Sequence, residues 1–265
     1  MTEIIDSVNN LKIDKAQVAL RFAQAGQSYT EHAIVQKMIA QHLFELIQQY
    51  CPAQLENVFE IGCGSGNLSH LLLDNLKFNQ LILNDLYPEV QQHFPANTKI
   101  KYLIGDIEQL EFPKFLDLIV SSSALQWLSD LDLVFQQAQQ SLSVDGLFCF
   151  STFGQQNLKE IKALTGQGLE YLSLENIQNL LEKSGFEILH ISQHIDVLSF
   201  EHPKHVLQHL KATGVTATAS NFRWTKQSLF DFYQSYQQFS FSDESGQTQY
   251  PLTYRPIYCL ARRLP

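Results

Sequence analysis

The chain has 265 residues, of which 45% are hydrophobic and 11% aromatic, enough to bury a core without a disulfide or metal staple. Its 18 Lys and Arg against 27 Asp and Glu give a formal charge of −9. So acidic a chain repels phosphate backbones, and a nucleic-acid partner is not expected. No run approaches the ~20 apolar residues that cross a bilayer, and the opening MTEIIDSVNN lacks the pattern of a secretory leader, so we expect neither membrane insertion nor export. The four cysteines, none at a CxxC spacing, are expected to be free thiols in a reducing cytoplasm.

The first half of the chain changes texture near residue 52. Apolar residues at the helical period predict mostly helix over residues 15–50, closed by Pro52. Short apolar runs then predict strands at residues 58–61, 81–83, 100–104, 118–120 and 147–150. Helical stretches lie between them, at residues 68–76 and 131–142. Alternating strands and helices predict a parallel sheet covered by helices on both faces.

The second half predicts a helix that begins at Ser173 and ends at Gly185, followed by a sixth strand over residues 186–198. Helices are predicted at residues 203–212 and 225–239, and a last strand at residues 249–261. Two prolines in that strand favour an edge or antiparallel position. We expect one domain with three parts: an N-terminal helical segment (1–50), a core (51–198 with 249–265) and a helical, lid-like insertion (199–248).

The most informative segment is the glycine loop that follows the first strand and opens a helix. Glycines there allow a ligand to approach the backbone, and the helix start offers free N–H groups. A dinucleotide site requires GxGxxG. Here Gly62, Gly64 and Gly66 make GxGxG, and Asn67 stands where the last glycine belongs. The preceding Glu60 disfavours a phosphate and suits a ligand with a cationic end.

This spacing resembles the first motif of class I S-adenosylmethionine-dependent methyltransferases. The resemblance implies a Rossmann-like, seven-stranded, mostly parallel sheet with an antiparallel last strand, and S-adenosylmethionine as cofactor. It also implies an acidic residue on the ribose hydroxyls and another on the adenine amino group. Asp85 and Asp106 stand at those places after the next two strands, at the edge where open α/β sheets bind ligands. Ile107 would cover the adenine ring.

Beyond the cofactor motifs, the chain resembles the malonyl-acyl-carrier-protein O-methyltransferase family of biotin synthesis over nearly its whole length. The similar segments are residues 22–33, 121–127, 150–153, 209–214 and 250–254. Tyr29 inherits a cofactor contact, whereas Gln24 replaces a common arginine. The cofactor contacts implied by both resemblances are Tyr29, Glu60, Gly62, Cys63, Gly64, Gly66, Asp85, Leu86, Asp106, Ile107 and Ser121.

The resemblance implies methyl transfer to the free carboxylate of a malonyl thioester on acyl carrier protein, or on coenzyme A. A carboxylate is already ionised at pH 7, so no general base is expected. A cation should hold one carboxylate oxygen; the candidates are Lys211, placed first, then Arg255 and Arg223. Trp127 is expected to wall the active site. The basic residues of segment 201–230 suit an acidic partner, although ordinary scatter of charge explains them equally well.

Three alternatives stay open at this point. A methyltransferase for another small molecule, a quinone carbon or another carboxylic acid such as aconitate, would share every cofactor residue. A nicotinamide-dependent oxidoreductase is disfavoured by Asn67, and a non-catalytic cofactor-binding module by the intact motif set. His202, His205 and His209 share a helix face, but no Cys or acidic ligand accompanies them, so no metal is predicted.

Overall fold

The computed structural model describes Lys15, residues 34–213 and residues 224–265. Its helices are α1 Ile34–Tyr50, α2 Asn67–Asn75, α3 Leu131–Ser141, α4 Lys159–Thr165, α5 Leu174–Lys183, α6 Pro203–Ala212 and α7 Lys226–Tyr236. Its strands are β1 Leu55–Ile61, β2 Phe78–Asp85, β3 Ile100–Ile104, β4 Leu116–Ser122, β5 Leu142–Phe153, β6 Phe186–Gln193, β7 Asp196–Phe200, β8 Phe241–Ser242, β9 Thr248–Tyr254 and β10 Pro256–Arg263. Short 3-10 helices cover Pro88–His93, Leu125–Trp127 and Gln237–Phe239.

The main sheet has seven strands in the order β3-β2-β1-β4-β5-β10-β6. Strands β1 to β5 pair in parallel, and β10 runs antiparallel to both of its neighbours. The predicted architecture is therefore confirmed. Because Ile61 pairs with Asn84, and Asp85 with Ile104, the ends of β1, β2 and β3 lie side by side at one rim of the sheet.

Successive residues of the central strands enter two different cores. Val58 of β1 and Leu118 of β4 pack in the core that includes α1 and α2. Phe59 and Ile119, the residues that follow them, pack in the core that includes α3 and α5. Since side chains alternate across a sheet, a strand that is apolar at every position needs cover on both faces, which explains the continuous apolar runs.

A second, smaller sheet lies beside the main one, with strand order β7-β9-β8. Strands β7 and β9 share a core with α6 and α7, where the buried Tyr236 donates a hydrogen bond to the carbonyl oxygen of Pro251 at 2.8 Å. None of the helices in the described part of the chain has the length and apolar character needed to cross a bilayer.

The predictions missed how the chain passes between the sheets. The predicted sixth strand is β6 and β7, and the predicted last strand is β9 and β10, each pair divided between the two sheets. Helix α4 was not predicted. In α1 the buried face carries Val35 and Ile39, whereas Ile34 and Met38 are exposed, although all four are apolar and fit a helical period equally well.

Candidate active site

The glycine loop after β1 is a tight turn held by the neighbouring strand. Gly62, Gly64 and Gly66 have φ of 71°, 52° and 85°, which side chains other than glycine adopt at a cost. The N–H groups of Gly62 and Cys63 both donate to the carbonyl oxygen of Asn84, at 3.0 and 2.9 Å. A Cβ at Gly62 would lie 2.4 Å from that of Ala124, whereas one at Gly64 would meet nothing within 4 Å. Gly62 therefore serves packing, and Gly64 keeps a space open.

Asp85, at the end of β2, ties that strand to the glycine loop. Its two carboxylate oxygens accept the N–H of Gly64 at 2.8 Å and the N–H of Leu86 at 2.7 Å. Burial raises the pKa of Asp85 to about 6, although these backbone donors oppose the shift. Each carboxylate oxygen accepts more than one hydrogen bond, so Asp85 can still accept from a ligand.

Glu60 lies beneath the loop and is fully buried. Burial, with a smaller contribution from the neighbouring Asp85, raises the pKa of its carboxyl to about 8, although the nearby Ser69 hydroxyl opposes the shift. Its Oε2 meets no hydrogen-bond partner among the described residues. A buried carboxylate oxygen that lacks a partner is costly, and a cationic group brought beside it would relieve that cost.

Asp106 follows β3 at the same rim and already has a partner. Lys15 donates to both of its carboxylate oxygens, at 2.7 and 2.6 Å, and also to Glu108. Asp106 Oδ1 accepts the N–H of Glu108 at 3.1 Å as well. The Lys15 ammonium holds Asp106 and Glu108 together at the rim.

One cavity brings most of the predicted cofactor residues together. Nine of the predicted residues line it: Glu60, Gly62, Cys63, Gly64, Asp85, Leu86, Asp106, Ile107 and Trp127. Tyr29 lies outside the described residues. The cavity thus opens at the ends of β1, β2 and β3, where the sequence pattern placed a ligand.

Two predicted cofactor residues have structural positions instead. Ser121 is fully buried, and its hydroxyl donates to the carbonyl oxygen of Ile61 at 2.9 Å, so it joins β4 to β1 while Ser122 and Ser123 line the cavity. Gly66 is the N-cap of α2 in left-handed conformation and does not line the cavity.

The residues predicted to hold the substrate do not lie together. Trp127 is 9% exposed and walls the cavity. Lys211 lies exposed in the last turn of α6 and does not line the cavity. Arg255 is half-buried between β9 and β10, opposite the carboxyl end of β5. Arg223 lies outside the described residues.

Lys15 and Gln36 are among the polar cavity residues that sequence reasoning missed. Lys15 is 91 residues from Asp106, and no local spacing connects them. Gln36 lies on the buried face of α1, and its Oε1 meets no partner among the described residues. A glutamine one turn before Ile39 and Ala40, on an apolar helix face, was the available indication.

The fold and site together define a methyltransferase of the class I architecture. Residues 31–191 match the family described as "Methyltransferase domain". Among solved structures, the chain is similar to a protein of Bacillus halodurans C-125 assigned to the methyltransferases, with a TM-score of 0.61 at 15% identity over 84% of this chain and 99% of that one. It is also similar to the N-methyltransferase NodS of Bradyrhizobium japonicum WM9, solved with S-adenosyl-L-homocysteine, with a TM-score of 0.52 at 14% identity over 84% of this chain and 85% of that one.

Relatives with higher sequence identity show which family of methyltransferases the chain belongs to. The malonyl-[acyl-carrier protein] O-methyltransferase of Acinetobacter baylyi is 48% identical over 96% of this chain and 98% of its own length. The protein of the same name from Haemophilus influenzae is 35% identical over 94% of this chain and 95% of its own length. The chain belongs to the malonyl-[acyl-carrier protein] O-methyltransferase family.

Proposed function

We propose that this protein transfers the methyl group of S-adenosylmethionine to the free carboxylate of a malonyl thioester on acyl carrier protein, as its relatives' name describes. The observation that carries the cofactor half is the unpartnered, buried Oε2 of Glu60 in a cavity that also exposes Asp85 and Asp106. Together these offer one acceptor for a cationic group and others for hydroxyl and amino donors. The substrate half is supported by family membership.

The residues present fit the cofactor's chemical groups. Glu60 would accept the ammonium of the methionine part, with Cys63 and Gly64 leaving room for its chain. Asp85 would accept from the ribose hydroxyls, since two vicinal hydroxyls match one carboxylate. Asp106 would accept from the adenine amino group without releasing Lys15, and Ile107 would cover the ring. Leu86, which lines the cavity, and Tyr29, which lies outside the described residues, are proposed to complete the site.

When bound, the cofactor supplies a methyl group on a sulfonium. The substrate carboxylate would accept that methyl group, so that one C–O bond forms as one C–S bond breaks and a neutral thioether remains. The nucleophile is already ionised at pH 7, so no side chain has to remove a proton. The protein contributes alignment of the reacting atoms to about 3–3.5 Å and exclusion of water. Trp127, at the cavity wall, is placed to exclude water.

The proposed partner is acyl carrier protein, with malonyl-coenzyme A as the other possible carrier. Within the described part of segment 201–230, Lys204, Lys211 and Lys226 are exposed, and an acidic carrier would be attracted to them. The cysteines are free, and three of the four are buried, which agrees with the proposed cytoplasmic location.

Methyl transfer to a panel of acceptors tests the function. Purified protein with S-adenosylmethionine should add one methyl to malonyl-acyl carrier protein, measured by intact mass, and leave acetyl-acyl carrier protein unchanged because it has no free carboxylate. Malonyl-coenzyme A, aconitate and a quinone precursor complete the panel. Turnover of one of the last two but of neither malonyl thioester would contradict the proposal and favour another small-molecule methyltransferase.

A further inference from the structure

Arg255 occupies an unusual place in the chain: it is the single residue between β9, in the small sheet, and β10, in the main sheet. Its backbone N–H donates to Asn157 Oδ1 at 3.0 Å, and its carbonyl oxygen accepts the N–H of Gly154 at 2.9 Å. Both partners belong to the loop after β5. This residue is therefore fixed at the carboxyl rim of the main sheet.

Three buried polar side chains each hold one of the consecutive residues 253–255. Glu160 of α4 accepts both the N–H and the hydroxyl of Thr253, at 3.1 and 2.5 Å. His209 Nε2 and the Tyr254 hydroxyl form a hydrogen bond of 2.9 Å. Asn157 binds Arg255, as above. Asn157, Glu160 and His209 are all more than nine-tenths buried.

This arrangement also involves two of the segments that are similar to the family, those that contain His209 and Tyr254. They are distant in sequence, yet the bond between His209 and Tyr254 joins them in space. Lys211 lies between these buried anchors but is itself exposed. The segments therefore organise the chain around Arg255 rather than present Lys211 to the cavity.

The guanidinium of Arg255 has capacity left for a ligand. Its Nε is buried without a hydrogen-bond partner among the described residues. Its Nη2 donates to Gln156 Oε1 at 3.3 Å, and the ion pairs found in the described ranges do not include it. Three buried polar side chains hold the chain at Arg255, and no carboxylate pairs with its guanidinium among the described residues. This arrangement indicates that Arg255 binds a ligand.

Arg255 lies at the same rim of the main sheet as the cavity, although it does not line the cavity in the ligand-free protein. Ser123 lines the cavity, and its N–H donates to the carbonyl oxygen of Ser151 in β5 at 3.1 Å. Strand β10 is the next strand beyond β5, and the register places Tyr258 level with Ser122, so Arg255 lies three residues further along. Two strand spacings and this offset separate Arg255 from the end of β4 by about 14 Å. An extended arginine side chain covers about half of that distance.

We propose that Arg255 binds one oxygen of the substrate carboxylate, and that Asn157, Glu160 and His209 are the positioning residues that hold it at the rim. The assignment rests on the proposed function and replaces Lys211, the first candidate from sequence. Because part of the guanidinium already serves Gln156, it holds one carboxylate oxygen and leaves the other to attack the methyl carbon.

Steady-state kinetics with malonyl-acyl carrier protein test the assignment, on the full chain as wild type, Arg255→Ala, Arg255→Lys and Lys211→Ala. Lys183→Ala, which removes an exposed lysine paired with Asp132, is the matched control. Loss of a charged hydrogen bond predicts that Arg255→Ala lowers kcat/KM for the malonyl substrate by about 10- to 150-fold, while its affinity for adenosylhomocysteine stays within twofold. Lysine restores the charge without the planar fork, so Arg255→Lys should fall in between. Added guanidinium ion should restore turnover to Arg255→Ala and not to Lys211→Ala.

The positioning role is tested by Glu160→Gln, which keeps the shape of the side chain but removes its charge. We expect a fall in kcat/KM for the malonyl substrate with unchanged adenosylhomocysteine affinity. The double variant with Arg255→Ala should be no worse than Arg255→Ala alone, because both remove one interaction. Independent, multiplied losses in the double variant would overturn the positioning role.

The outcomes separate this assignment from the proposed function. Wild-type protein that leaves malonyl-acyl carrier protein unmethylated overturns both. Active wild type with Arg255→Ala within threefold of it, or with Lys211→Ala as the only impaired cation variant, overturns the assignment of Arg255 alone. Failure of guanidinium ion to restore the folded Arg255→Ala protein also overturns it.

Discussion

Replacing Asp85 with asparagine should weaken the ligand and strengthen the ligand-free fold. Burial raises the pKa of Asp85 from 3.8 to about 6. At roughly 1.4 kcal/mol for each pKa unit, the ionised carboxylate destabilises the folded protein by about 3 kcal/mol at pH 7. Asparagine removes that cost. It accepts only one of the N–H groups of Gly64 and Leu86, however, and the lost hydrogen bond destabilises the folded protein by about 1 kcal/mol. The net expectation is a gain of about 2 kcal/mol in the free energy of unfolding.

The same change removes the acceptor proposed for the ribose hydroxyls. Loss of hydrogen bonds to a charged acceptor predicts about 1.5–3 kcal/mol less binding energy, or roughly 10- to 150-fold weaker adenosylhomocysteine binding by calorimetry. Urea unfolding of both proteins at pH 7 and pH 4 supplies the second readout. A carboxyl group whose pKa is raised by folding destabilises the folded protein fully above its folded-state pKa and not at all below its unfolded-state pKa. The difference in stability between wild type and Asp85→Asn should therefore shrink towards pH 4. Unchanged affinity, or affinity and stability falling together, would refute the reasoning.

The remaining predictions concern neighbouring residues of the cavity. Glu60 should be protonated in the free protein at pH 7, since its pKa is about 8. Binding of adenosylhomocysteine should therefore release close to one proton, measured by calorimetry in buffers of different ionisation enthalpy. An equal release in Glu60→Gln would contradict this. Gly62→Ala should lower the melting temperature because its Cβ would meet Ala124 at 2.4 Å, whereas Gly64→Ala should mainly weaken the ligand; equal loss of stability in both would show that the two glycines do not differ in role. Ser121→Ala should lower the free energy of unfolding by about 1 kcal/mol with less than twofold change in ligand affinity, and a tenfold loss of affinity would return Ser121 to the ligand site.

Local sequence features correctly predicted the helices whose ends are set by residues within or next to the helix itself. Helix α6 begins and ends at the predicted residues, Pro203 and Ala212. Helix α5 begins after Ser173, whose hydroxyl accepts the N–H of Asn176 at 3.0 Å. Proline at a helix start and a serine cap act within a single turn, so they can be read without knowledge of the fold.

The passages between the two sheets could not be predicted in this way. Residues 186–198 alternate as one strand would, but the chain leaves the main sheet after Gln193 and enters the small sheet at Asp196. Which sheet a strand joins depends on partners distant in sequence, such as Thr253 opposite Val197. For the same reason, the sequence did not show that Arg255 is the residue at which the chain passes from the small sheet to the main sheet.

The residues of the candidate site differ in the same way: some could be predicted from the sequence, and others depend on tertiary packing. The loop residues and Asp85 follow their strands directly, so strand order alone placed them at the cavity. Lys15 reaches Asp106 across 91 residues, and its role depends on tertiary packing. Lys211 was favoured because of its neighbours in sequence, yet His209 and Leu210 are buried, whereas Lys211 is exposed and does not line the cavity.

A crystal structure of the protein with adenosylhomocysteine and a malonyl thioester tests the central claim most directly. The ligand's amino group should lie on Glu60, its ribose on Asp85 and its adenine beside Ile107 and Asp106, with the malonyl carboxylate between the sulfur atom and Arg255. Adenosylhomocysteine bound elsewhere, or a pyrophosphate group seated on the glycine loop in its place, would contradict the account.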